Sequence, residues 1–194
     1  MMRSIYLVLD MENDLVAEDG PSGKGPLGQQ VQGRGIIGRT KTAIAKARAA
    51  GLQIGYVRVG FSPDYRECPS TSGIFSGARQ HGLFKLGTVG TEVHAELAPQ
   101  PGDFDIVKHR VSPFYGTSLE PILRAHGIER IFCSGVSTVA VVQGTVRDAH
   151  DRDYVVTVLE DCCASGSIED HDAAIRTLQR FCTFTTSDAV DFSA

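Results

Sequence analysis

Asp10 follows directly on the apolar run Ile5-Tyr6-Leu7-Val8-Leu9. A carboxylate at the end of such a run cannot be fully buried without a partner, so it either caps the next segment or meets a counter-charge. Lys108 stands in the same place after Phe104-Asp105-Ile106-Val107. Alone it reads as a strand-end lysine extending to solvent. The pair offers more, because a lysine beside an aspartate favours the ionised carboxylate, and together they can pass a proton and hold a charged intermediate. The third feature is Gly135-Val136-Ser137-Thr138, between a strand pattern and a helix pattern. Backbone amides at a helix start suit an oxyanion or a carboxylate, although a plain strand-to-helix turn uses the same residues.

The elements that must position these residues follow from hydrophobic patterning. Ser4–Leu9 is nearly unbroken and apolar, as expected of a parallel strand buried on both faces. Further strands are predicted over 52–59, 104–107, 130–133, 154–159 and 181–186. Helices are predicted over 35–50, after a Thr117/Glu120 capping box, over 138–151, and from a Ser167/Asp170 cap to about residue 180. Residues 60–103 are irregular and too long for a plain loop, with a short helix expected near 91–97. Strands alternating with helices predict one α/β domain over 1–194, a doubly wound, six-stranded parallel sheet flanked by helices in a Rossmann-like three-layer arrangement. Ligands of such sheets bind beyond the carboxyl ends of the strands at the switch in strand order, which would bring Asp10, Lys108 and residues 135–138 into one cleft.

Composition narrows the function. The chain has 194 residues, 19 Lys+Arg against 23 Asp+Glu, and a formal net charge of −4. That balance disfavours a nucleic-acid partner. No apolar run is long enough to span a membrane, and charges at Asp10, Glu12 and Asp14 arrive too early for a signal-peptide core. Five cysteines, an odd number without C-x-x-C spacing, fit reduced thiols and a cytoplasmic setting. Residues 20–25 are glycine-rich but lack the P-loop spacing, and no G-x-G-x-x-G follows the first strand, so no cofactor is expected. The six His are scattered, and no metal site is expected.

The ordered set of stretches resembles the isochorismatase-like hydrolase superfamily, also called the cysteine hydrolase group. The matching segments are Leu9-Asp10-Met11-Glu12-Asn13-Asp14, the run from Val107 to Thr117, Gly135-Val136-Ser137-Thr138, Thr145-Val146-Arg147-Asp148-Ala149 and Leu159-Glu160-Asp161-Cys162-Cys163. The resemblance implies catalytic roles for Asp10 and Lys108, and a cis peptide at Val136–Ser137 that arranges amides around the substrate. It also implies a nucleophilic Cys six residues after Gly135. That position is Val141 here, and valine can neither attack a carbonyl nor carry an acyl group. The predicted substrate-binding set is Val136, Ser137, Thr138, Phe61, Arg66 and Tyr115. Arg66 would receive a carboxylate, and the aromatic residues would form a wall.

The expected function is hydrolysis of a small molecule by an Asp/Lys acid–base site without a Cys nucleophile, at a vinyl-ether or C–N bond. Two alternatives stay open: a non-catalytic metabolite binder, and an amidohydrolase with a relocated thiol, Cys68 being the first candidate. Isochorismatases proper resemble this Cys-less case, but no counterpart of their other pocket residues stands at Val59-Gly60-Phe61. Homo-oligomerisation is implied by the resemblance.

Overall fold

A computed structural model describes residues 2–193. The apolar runs become six parallel strands: β1 (Ser4–Leu9), β2 (Gln53–Val59), β3 (Phe104–Lys108), β4 (Arg130–Gly135), β5 (Val155–Leu159) and β6 (Thr183–Thr185). Their order is β3-β2-β1-β4-β5-β6. The direction of winding therefore switches between β1 and β4, and the crevice beyond their carboxyl ends is where the ligand site of such a sheet belongs. The helices are α1 (Asn13–Val16), α2 (Pro26–Gly33), α3 (Ile36–Ala49), α4 (Ala78–His81), α5 (Leu119–Ala125), α6 (Gln143–His150) and α7 (Ile168–Leu178).

Alternation along β1 builds the three layers. Ile5, Leu7 and Leu9 pack with Leu119, Leu123, Val146 and Ala149 on one face. Tyr6 and Val8 pack with Ile36, Ala43, Ile44 and Ala47 on the other. A parallel strand covered by helices on both sides must be apolar throughout, which explains the unbroken run.

Several boundaries differ from the sequence expectation. The 138–151 helix begins with a π-helical turn, Thr138–Val142, before α6. Ser167 caps α7 as expected, its hydroxyl accepting from Asp170 N at 3.1 Å. The Thr117/Glu120 capping box does not form. Thr117 Oγ1 accepts from Leu119 N and donates to Pro113 O, while Glu120 pairs with Arg124 and Arg152. The arginines offer Glu120 a better partner than a backbone amide. Residues 60–103 hold α4 and two 3-10 turns, Val89–Thr91 and Ala95–Leu97, rather than one helix near 91–97.

Gly135 ends β4 with φ of +148°, and a Cβ there would stand 2.0 Å from Leu9 O. Only glycine lets β4 approach β1 at the point where the site begins. Gly135→Ala is expected to lower stability by about 1–3 kcal/mol or more through backbone displacement, read as a fall in the urea midpoint at constant m-value.

Candidate active site

β1 and β3 deliver the two charges. Asp10 leaves β1 with φ of +53°, a left-handed conformation that Asp tolerates better than most residues. Its N–H still donates to Val57 O at 2.8 Å, so the turn starts from a fixed point. Lys108 is the last residue of β3. It does not extend to solvent: it is 1% exposed, and its Nζ donates to Asp10 Oδ2 at 2.8 Å. Asp10 is 5% exposed, and its Oδ1 makes no hydrogen bond to protein. Burial pushes the Asp10 carboxyl above its ordinary value, and the charge and hydrogen bond of Lys108 work against that rise.

The pair borders a cavity of about 170 Å³. Val136, Ser137, Ala140 and Val141 bring the β4 turn to it, and the Val136–Ser137 peptide is cis. Val141, where the resemblance puts a nucleophile, is 2% exposed and lines the cavity directly. The amides of this turn are largely committed. Thr138 N donates to Ala164 O, Val139 N to Ser165 Oγ and Ala140 N to Ser137 O.

The irregular segment supplies the remaining wall. Ile74, Phe75 and Phe84 line the cavity, with Leu15, Leu27, Val59 and Val111 from elsewhere. Phe84 is held by its N–H donating to buried Asp14 Oδ2 at 2.6 Å, and Phe61 N donates to Phe84 O at 2.7 Å. Sequence reasoning missed these wall residues. Asp14, a carboxylate soon after Asp10, was the one available signal for a tether.

Four of the expected substrate-binding residues do not line the cavity. Thr138 is fully buried behind it, its Oγ1 2.8 Å from His171 Nδ1. His171 Nε2 in turn lies 3.4 Å from Glu160 Oε2 and 3.2 Å from Arg34. This is the order of a nucleophile, a base and an orienting carboxylate. Yet the hydroxyl faces protein, and burial followed by the Arg34 charge lowers the His171 pKa. Phe61 packs within a satellite core of Tyr65, Phe75 and Phe84. Arg66 is exposed and pairs with Asp64. Tyr115 is 68% exposed, outside the cavity.

Glu12 was not foreseen as a site residue. It is 0% exposed, neither carboxyl oxygen has a hydrogen-bond partner, and it interacts electrostatically with Asp10 and Lys108. Burial, then the Asp10 charge, push its carboxyl well up. Arg58 opposes the rise but spends its hydrogen bonds on Asp105 and Thr91 O.

The cysteines stand apart. Cys133, Cys162 and Cys163 are buried, and burial pushes their thiols up, away from the reactive thiolate. Cys68 Sγ donates to Phe75 O at 3.5 Å and does not line the cavity. Among the described residues no group of three or more His, Cys, Asp or Glu is placed to hold a metal ion, and no helix is long and apolar enough to cross a membrane. A larger hollow of about 400 Å³ lies at the opposite edge of the sheet, around Arg3, Ser4 and Gln53. It holds neither member of the Asp–Lys pair, and the site is assigned by chemistry rather than size.

A doubly wound parallel sheet with a buried Asp–Lys pair at the carboxyl ends of β1 and β3 fits an α/β enzyme, and similarity to known proteins makes the class specific. Residues 4–189 match the Isochorismatase domain, so the chain belongs to the isochorismatase family, as an isochorismatase-like hydrolase. It is 31% identical to a ureidoacrylate amidohydrolase RutB of Methylorubrum extorquens, over 98% of this chain and 82% of the relative. A similar protein of that name from Yersinia enterocolitica is 35% identical over 81% of this chain and 74% of its own. Among solved structures, an isochorismatase family protein from Desulfovibrio vulgaris superposes with a TM-score of 0.87 at 26% identity, covering 97% of this chain and 96% of that one. The N-carbamoylsarcosine amidase of Thermoplasma acidophilum gives 0.76 at 28% identity, covering 98% and 99%.

Proposed function

We propose that this hydrolase cleaves a vinyl-ether or C–N bond of a small molecule by acid–base chemistry at Asp10, with water as the attacking group and no covalent thiol intermediate. The observation that carries the reading is the 2.8 Å Asp10–Lys108 pair beside a cavity whose wall at the expected nucleophile position is Val141. Lys108 holds Oδ2 and leaves Oδ1 as the oxygen that can exchange a proton.

At a C–N bond, ionised Asp10 takes a proton from water as its oxygen adds to the carbonyl. The same proton then goes to the departing nitrogen, giving an acid and an amine. At a vinyl ether, protonated Asp10 gives its proton to the alkene carbon. Water adds to the resulting oxocarbenium ion and returns a proton to Asp10, and the hemiketal separates into a carbonyl compound and an alcohol. The two routes have opposite pH dependence. The vinyl-ether route slows as pH rises through the Asp10 titration, and the C–N route slows as pH falls through it. Burial of Asp10 moves that point upward.

The test is mass-spectrometric turnover of isochorismate and a panel of small amides and carbamoyl compounds. Asp10→Asn is expected to lower kcat by about 10²–10⁴-fold, with thiol alkylation leaving the wild-type rate unchanged. Full activity in a folded Asp10→Asn variant would sink the assignment. Loss of activity on alkylation, mapped to Cys68, would support the relocated thiol instead. Val141 also favours a second reading, a binder that has lost catalysis. A metabolite that co-purifies and is returned unchanged would support it.

A further inference from the structure

We propose that the molecule this site takes is uncharged, with a compact apolar body about the size of a benzene ring and one polar function that reaches the Asp10–Lys108 pair. The proposal rests on the reading above for the identity of the site and goes further by naming what enters it.

The walls are hydrocarbon. Leu15, Leu27, Val59, Phe75, Phe84 and Val111 surround the cavity, and the polar side chains among its described lining residues are Asp10, Lys108 and Ser137. A ligand body carrying hydroxyls or amides would leave them unpaired against these walls, which costs binding. One polar end is accommodated, because Asp10 and Lys108 stand at the carboxyl ends of β1 and β3 and Ser137 in the turn after β4, all on the same side of the sheet.

The charge is already balanced. Asp10 and Lys108 are the charged residues among those described at the cavity, and they neutralise each other at 2.8 Å. An anionic substrate would need a further cation. Arg58 pairs with Asp105 and Arg66 with Asp64, while Arg79 bonds to Tyr65 O and Arg110 to Glu67 O and His109 O. None of them lines the cavity. A carboxylate brought to Lys108 would have to displace Asp10 or sit beside it, and like charges at that distance repel.

The volume sets the size. An enclosed apolar cavity of about 150 Å³ accepts benzene, and this one, about 170 Å³ and open to solvent beside Ile74, encloses a body of that size. Half-exposed Ile74 lines it where the irregular segment meets solvent, and offers a place to change its charge.

The decisive experiment is calorimetric titration of the wild-type protein near neutral pH with cyclohexanecarboxamide and with cyclohexanecarboxylate, which share a body and differ in charge. The amide is expected to bind saturably and at least about tenfold more tightly than the carboxylate. Ile74→Lys, at an exposed position that the fold does not depend on, is expected to narrow that preference. Equal or tighter binding of the carboxylate overturns the proposal, as does absence of saturable amide binding. A preference that Ile74→Lys leaves unchanged places the binding outside this cavity and also overturns it. Turnover assays on the same samples separate this inference from the hydrolase reading. Neutral preference without Asp10-dependent turnover of any compound retains the ligand class and removes the mechanism. Asp10-dependent turnover of an anionic compound retains the mechanism and removes the ligand class.

Discussion

Lys108→Met is expected to destabilise the protein by about 3–5 kcal/mol, the usual cost of leaving one member of a buried ion pair without its partner. Lys108 and Asp10 are both nearly fully buried, so solvent cannot replace the lost interaction. Without the ammonium, the two opposing influences on the Asp10 carboxyl, the charge and the hydrogen bond of Lys108, vanish and burial alone remains. Its pKa then climbs further above that of the unfolded chain. A carboxyl whose folded pKa is raised contributes nothing adverse below its unfolded pKa and costs stability increasingly as pH rises from the unfolded pKa to the folded one. The defect should therefore be larger at pH 8 than at pH 4. Adding Asp10→Asn removes the stranded charge, and the double variant should recover a large part of the loss. Urea unfolding of the four proteins at both pH values forms a complete cycle. A Lys108→Met variant as stable as wild type at pH 8 would contradict the buried pair. A double variant that recovers its stability yet hydrolyses nothing would separate the structural from the catalytic contribution of these residues.

The second large effect is expected at Glu12. Its carboxyl is fully buried, has no hydrogen-bond partner, and is pushed well above its ordinary value of 4.5 by burial and by Asp10. In the unfolded chain Glu12 ionises above about pH 4.5, whereas in the folded protein burial and the Asp10 charge displace its ionisation to higher pH. The wild type should lose up to about 1.4 kcal/mol per pH unit at this residue between those two titrations. Glu12→Gln keeps the shape and removes the ionisation. The variant should match the wild type within about 1 kcal/mol near pH 4, since at that pH both carry a neutral side chain. It should become the more stable of the two as pH rises, with the gap widening until the folded carboxyl titrates. Melting temperatures across pH 4 to 9 would reveal this. Parallel curves for the two proteins would mean that Arg58 holds Glu12 ionised.

The sequence by itself determined the strand–helix alternation, because periodicity and unbroken apolar runs are local properties. The run Ser4–Leu9 can satisfy its side chains only inside a sheet covered on both faces, and it became β1 with the expected bounds. The same logic put Asp10 and Lys108 at strand ends, and strand ends of parallel sheets lie on one edge. The Ser167 cap was equally legible, since cap and amide are three residues apart.

Tertiary structure decided whatever depends on partners distant in the chain. Thr117 and Glu120 spell a capping box, but Arg124 and Arg152 take the carboxylate. Lys108 could have reached solvent; Asp10, 98 residues earlier, holds it inside. Arg66 and Tyr115 point to solvent, while Phe75 and Phe84, embedded in an irregular stretch with no periodic signal, form the wall. Phe84 stands there because Asp14, 70 residues away, holds its amide. The burial of Glu12 has the same origin. A residue's charge can be read from its type, but whether water reaches that charge depends on what the rest of the chain packs over it.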